Sequence, residues 1–247
     1  MPPEELAISN PDTADSNAVF CESCGYRLDG LSPKGRCPEC GTAIVDSLTG
    51  RELTVWEVEP TWRSFVKTVT AVVRGPTGFF RSLRTVVDDE HARQSRRFQW
   101  RCLLICTALG FVAVYLHQSL FGKLIHIEFP GPEMESVVLA LAGLAVAGLF
   151  IKVVEALSVW EANFRGMRLE EDAARRALQY HTACLLPVAL LFTLLTVATT
   201  IASLAGAEAY LLVTPYIAGL CGLVVGGGIY LFATYWIAMR NMLHANS

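Results

Sequence analysis

Charged side chains are scarce in this sequence. Asp, Glu, Lys and Arg make up 17% of its 247 residues, against about 25% in ordinary soluble domains. Those present are unevenly placed, and four long apolar stretches beyond residue 100 hold almost none. A wholly soluble protein is therefore excluded. Basic charge is also missing as a field, because 20 Lys and Arg stand against 23 Asp and Glu, for a net charge of −3. The head has only Arg27, Lys34 and Arg36. A phosphate backbone needs more positive charge than that, so nucleic-acid binding is not expected. Catalytic patterns are lacking too. No Ser/His/Asp or Cys/His arrangement is readable, and Gly226-Gly227-Gly228 lacks the Lys-Ser/Thr that ends a phosphate loop. An enzyme is not expected. Met1 to Asn17 carries Pro2, Pro3, Pro11 and acids but no basic start and no apolar core. It does not read as a signal peptide, and residues 1–18 are expected to be a disordered leader.

What is present begins with cysteine. Cys21 and Cys24 form one Cys-x-x-Cys hook, Cys37 and Cys40 a second, with twelve residues between them. A two-residue gap lets one tight turn aim both sulfurs at a single point, and two such hooks supply a tetrahedral thiolate set. Gly25 and Gly41 follow the second cysteine of each hook, where a positive φ turns amide N–H groups toward the sulfurs. Pro38 fixes φ inside the second hook, and Asp29-Gly30 and Pro33-Lys34-Gly35 are turn signals that let the connection reverse. One structural Zn2+ is the first reading of this spacing. A mononuclear iron is the second, since Cys21-Glu-Ser-Cys24-Gly-Tyr with Cys37-Pro-Glu-Cys40-Gly also resembles a rubredoxin-type centre. No paired Glu-x-x-His helices or flavin loop accompany it. Two disulfides are the third, and they need an oxidising compartment. The module spans residues 19–46. It is too short to bury much core, so the metal is expected to supply its folding energy. Cys102, Cys106, Cys184 and Cys221 lie in apolar runs and read as packing residues.

Residues 47–60 read as a linker, with Thr54 to Val58 a short strand against the metal module. Residues 61–101 follow as amphipathic cytoplasmic or interfacial helices. Trp62, Phe65, Val66, Val69, Val72 and Val73 recur at helical spacing, Gly75-Pro76 breaks the pattern, and Phe79, Phe80, Leu83, Val86 and Val87 form a second stripe. Basic residues accompany both stripes, and no acid occurs from Thr61 to Val87. That composition fits the membrane–water interface. Packing of the pair on the protein itself is the alternative.

Residues 102–240 hold four segments long enough to cross a hydrocarbon core of about 30 Å. They are Cys102–Leu120, Val137–Leu157, Ala183–Leu204 and about Tyr210–Ile237. Each must be a helix to satisfy its own backbone in lipid. Their short flanks set the orientation. Arg93, Arg96, Arg97 and Arg101 precede the first span. Lys123 alone follows it. Arg165, Arg168, Arg175 and Arg176 separate the second and third. No Lys or Arg lies in 206–209, and Arg240 follows the fourth. Basic residues thus alternate as four spans require, with both termini cytoplasmic in a cell (inner) membrane. Reducing cytosol in turn favours thiolates over disulfides.

Inside the spans, Lys152 and Glu155 stand three apart on one helix face and can pair. His117 and Gln118 lie near the outer end of the first span. These ionisable residues could form an ion path, or a local pair with snorkelling side chains, and the pair is favoured. Gly143, Ala147, Gly148, Gly219, Gly222 and the Gly226–Gly228 run let helices approach closely, and a glycine-lined path is the alternative. Pro187 and Pro215 are expected to kink their helices. Arg168 to Leu178 reads as a charged amphipathic helix able to dock on the metal module.

Two stretches carry family resemblances. Cys21-Glu-Ser-Cys24-Gly-Tyr-Arg-Leu-Asp-Gly-Leu with Gly35-Arg-Cys37-Pro-Glu-Cys40-Gly resembles the zinc-ribbon heads of many bacterial membrane proteins. It implies the metal and not the task. Gly75-Pro76-Thr-Gly-Phe79-Phe80-Arg-Ser-Leu83 and Ala177-Leu-Gln-Tyr180-His-Thr-Ala-Cys-Leu-Leu-Pro187 resemble the Yip (Ypt-interacting protein) family. That resemblance implies a multi-span membrane domain. Its eukaryotic members act in trafficking with small GTPases, and no activity carries over.

The expected fold is an all-α membrane domain, with four transmembrane helices plus interfacial helices, behind a small N-terminal zinc ribbon. The expected metal ligands are Cys21, Cys24, Cys37 and Cys40. The expected role is an interaction or scaffold module at the cytoplasmic face, with the bilayer and an unidentified protein as partners and a homo-oligomer left open. The alternatives are a small transporter or channel component with a regulatory ribbon, and a rubredoxin-like iron redox protein.

Overall fold

Helical periodicity dominates the sequence, and helices dominate the structure. Among the described residues there is no named strand, only isolated bridges. The computed structural model describes residues 19–48, 50–84, 87–125, 132–164, 171–206 and 209–242. The expected leader, 1–18, lies outside them. The chain divides between Thr49 and Gly50 into two compact units. The first consists of turns and one short helix, α1 (Ile44–Leu48).

The second unit opens with a difference from expectation. Thr54 to Val58 is not a strand but the start of α2 (Val55–Val58). Thr54 and Glu57 close a capping box: the Thr54 side chain accepts the Glu57 N–H, and the Glu57 carboxylate accepts the Thr54 N–H at 2.9 Å. This reciprocal bond satisfies two otherwise orphaned donors at a helix start. The turn delivers Trp56, fully buried, against Phe65 and Phe98 at ring distances of 5.9 and 6.1 Å. The stretch expected as linker therefore contains a core residue.

Next come α3 (Trp62–Arg74) and α4 (Pro76–Ser82). Gly75 ends one and Pro76 begins the other, where its missing N–H costs nothing. Both helices bury part of their apolar stripes in protein, while Trp62 and Val66 stay exposed. Phe65, Val72, Phe80 and Leu83 are all buried, in one cluster with Trp56, Phe98, Tyr180 and Met242. The second stripe does not continue as helix beyond Ser82, and Val86 lies outside the described residues. Instead Arg84 donates its N–H to Glu52, whose own N–H reaches Ser82. The Arg51 guanidinium then ties the carbonyls of Phe80, Leu83 and Asn241 together at 2.9–3.2 Å.

The surface that covers α3 and α4 comes from elements distant in sequence. It is built by the start of α5 (Asp89–Ile125), by α7 (Glu171–His181), by a single turn at Thr182–Cys184, and by the end of α9 (Ala209–Met242). The charged stretch 88–101 is thus mostly the first turns of the α5 helix, not a separate element. At 1.5 Å per residue its 37 residues extend about 55 Å, well beyond a hydrocarbon core of about 30 Å.

With α6 (Pro132–Phe164) and α8 (Leu185–Leu204), four helices among the described residues are long and apolar enough to cross a membrane. No residue in the most apolar stretch of α6 is buried. Leu149, Phe150 and Val224 are 67%, 65% and 74% exposed. A soluble monomer rarely leaves so much apolar surface uncovered, and lipid is the cover that fits. Sparse polar links join the helices. The Thr193 hydroxyl donates to the Leu109 carbonyl at 3.1 Å, and Ser158 and Tyr235 share a hydrogen bond of 2.7 Å. Among the glycines, Gly219 and Gly227 mark close approach, since a Cβ there would lie 3.1 Å from Leu195 and 3.2 Å from Val188. Gly143, Gly148, Gly222, Gly226 and Gly228 face open space.

A candidate metal centre

The two hooks fold alike. In the first, Gly25 donates its N–H to the Cys21 carbonyl at 2.8 Å, and Cys21 donates to Tyr26 at 2.8 Å. In the second, Gly41 donates to Cys37 at 2.9 Å, and Cys37 to Thr42 at 2.8 Å. Gly25 and Gly41 sit at φ 77° and 72°, the left-handed region that a side chain would make costly. A bridge flanks each turn, Phe20 with Arg27 and Arg36 with Ala43. Both knuckles are therefore built by local bonds, which is why the sequence spells them so plainly. Side chains brace the rest. The Asp29 carboxylate accepts from the Val19 N–H at 3.1 Å and pairs with Arg27, and these donors hold it below the usual carboxylate range. Ser47 of α1 accepts the Glu22 N–H at 3.1 Å.

The four sulfurs of Cys21, Cys24, Cys37 and Cys40 lie within 4.8 Å of one another. Cys21 is 3.5 Å from Cys40, and Cys24 is 3.6 Å from Cys37. A regular tetrahedron with metal–sulfur bonds of about 2.3 Å has edges of about 3.8 Å, so the set could hold one ion. All four are free cysteines, and the shortest of these separations is far beyond a disulfide bond. Cys21 and Cys37 are buried, while Cys40 is exposed.

Ionisation across the cluster is uneven. The Thr42 hydroxyl and backbone N–H pull the Cys40 thiol down to about 6. Burial pushes Cys24 up to about 12, reinforced by the hydrogen bonds its thiol donates to Cys40, Cys37 and Cys21. Four thiolates at this spacing repel one another, and a bound cation is what would let them ionise together. The unit has little else to hold it. Among the described residues its buried apolar cluster is Cys21, Leu28, Cys37 and Ile44, with Val19 and Cys24 packed beside them.

The other residues singled out from sequence fall in the second unit, in separate places. Lys152 pairs with Glu155 at 2.9 Å as expected. Sequence reading missed the third member, Arg175, whose Nε reaches Glu155 at 2.7 Å and which also pairs with Glu171 and Asp172. His117 does not join them. Its Nδ1 lies 2.8 Å from the Tyr216 hydroxyl, and the Gln118 side chain lies outside the described residues. The amphipathic helix expected from Arg168 is α7, with residues 165–170 outside the described residues. Its apolar face, Ala173, Ala174, Ala177 and Tyr180, is covered inside the second unit. Also missed was the buried ion pair between Arg176 and Glu57, 2.7 Å long with both side chains almost fully enclosed. The Thr54 hydroxyl extends it to Glu57 at 3.0 Å and Tyr180 at 2.9 Å.

Compared with protein-family models, with curated proteins and with solved structures, the chain matches none.

Proposed function

We propose that this chain is a membrane-anchored zinc-ribbon protein acting as an interaction or scaffold module at the cytoplasmic face of a cell membrane. The observation that carries the reading is the convergence of four cysteine sulfurs within 4.8 Å on a chain that also has four membrane-length apolar helices. Zinc suits a site whose task is to hold two short knuckles together, because it brings no redox chemistry and prefers a closed tetrahedron. No companion redox group is readable beside it, which is the argument against iron. The cytoplasmic assignment is supported by the sequence positions of Arg93, Arg96, Arg97, Arg101, Arg165, Arg168, Arg175, Arg176 and Arg240, which flank the span ends that the positive-inside rule assigns to the cytoplasm. We assign no catalysis. The transport reading draws no support from Lys152, Glu155 and Arg175, which pair with one another at one end of the helices.

The test is a Cys37→Ser, Cys40→Ser double variant in the full chain. Membrane insertion should persist while proteins that co-purify with the native chain are lost. An unchanged set of partners would remove the interaction role from the ribbon.

A further inference from the structure

We infer that the helical unit holds a single anionic phospholipid, with its headgroup in a cleft lined by Arg and Lys side chains and one acyl chain in an apolar groove beneath. The cleft has a volume of about 550 Å³ and opens where α5, α6 and α7 come together. Arg96, Lys152, Arg175 and Arg176 line it, against the carboxylates of Asp89 and Asp172. Arg175 is already engaged by Glu155, Glu171 and Asp172, Lys152 by Glu155 and Arg176 by Glu57. Arg96 is exposed and has no ion pair among the described residues. Arg176 is 97% enclosed, yet its Nε and Nη1 have no hydrogen-bond partner. Buried guanidinium N–H groups left without an acceptor are costly, and together with Arg96 they are the donors an anion would meet. Trp100, 53% exposed, lines the same cleft. An exposed Trp beside Arg and Lys at the end of an apolar span belongs to the headgroup layer.

The second cavity makes the anion a lipid. A groove of about 650 Å³ runs between α5, α6, α8 and α9, and its lining is almost wholly apolar. Leu103 lines both spaces, and Gly148 of the cleft lies one residue from Ala147 of the groove. Gly110, Gly143 and Gly228 widen the groove, since a Cβ at any of them would meet nothing within 4 Å. A polar site with convergent cations above a continuous apolar slot matches an amphiphile with an anionic head, and both volumes fall in the range of ligand sites. The inference rests on the four helices lying in a bilayer and is independent of the metal centre.

The full chain would be placed in nanodiscs of phosphatidylcholine containing a minor fraction of phosphatidylglycerol, extracted in mild detergent, and weighed by native mass spectrometry. The expected result is one retained phosphatidylglycerol per chain, enriched over its share of the disc. An Arg96→Gln, Lys152→Gln variant, altered only at exposed positions, should lose retention by roughly thirtyfold. A Gly143→Leu variant, which fills the groove and leaves the cleft intact, should lose it as well. Arg63→Gln, Lys67→Gln on the exposed side of α3 should retain it. Retention of both lipids in proportion to the disc, or retention unchanged in either cleft or groove variant, would overturn the inference. So would displacement of the bound lipid by millimolar inorganic phosphate, which would make the site one for free phosphate alone.

Discussion

The two units of this chain are held together by opposite means. Among its described residues the first buries two cysteines, one leucine and one isoleucine in its apolar cluster. The second buries Trp56, Phe65, Phe80, Phe98, Tyr180 and their neighbours in one aromatic cluster. A module with so little apolar surface cannot offset the entropy of ordering its backbone, so an ion held by its four cysteines is the source of folding energy that the proposed function supplies. The aromatic cluster needs no ion, and below it the helices rely on lipid. The lesson is that one polypeptide can separate its sources of stability so cleanly that each can be removed without the other.

Removing the metal is the sharpest way to break that contrast. Binding energies of structural zinc sites run to about 10–16 kcal/mol, so a strong chelator should unfold residues 19–48 completely. Hydrogen exchange on the full chain in detergent should then show lost protection there and unchanged protection in α2 to α4. Parallel loss in both regions would end the distinction.

The second unit has its own weak point in the Glu57–Arg176 pair. Arg176→Met leaves a buried carboxylate without its partner and should cost about 3–5 kcal/mol. A Glu57→Leu, Arg176→Met double variant should recover most of that loss. Thermal melts would show this, with metal content unchanged throughout. A double variant no better than the single would mean the pair is not the cause.

A smaller effect separates packing glycines from open ones. Gly219→Val should cost about 1–3 kcal/mol, because the new side chain meets Leu195. Gly222→Val, with nothing within 4 Å, should change stability by no more than about 0.5 kcal/mol. Equal losses at the two sites would contradict the helix approach described above.

How much of this was legible depends on distance along the chain. The ligand set was readable because each hook is closed by bonds four or five residues apart, as Gly25 to Cys21 and Cys21 to Tyr26 show. The four spans were readable because length and hydropathy alone decide them. The stripes on α3 and α4 were visible, but an apolar face looks the same whether lipid or protein covers it. What covers Phe65 is Trp56 and Phe98, and no local pattern announces that. Arg176 and Glu57 are 119 residues apart, so their pairing had no signature. Thr54-x-x-Glu57 did carry one, the capping box, and it was outweighed by Val55 and Val58, which look like strand residues.

The most direct measurement is metal analysis of the purified full chain, combined with its absorbance spectrum and X-ray absorption at the bound metal. The account expects one zinc per chain, no visible colour, and four sulfurs at about 2.3 Å, all lost in the Cys37→Ser, Cys40→Ser variant. A coloured iron centre, a metal-free chain with intact disulfides, or zinc retained by that variant would contradict it.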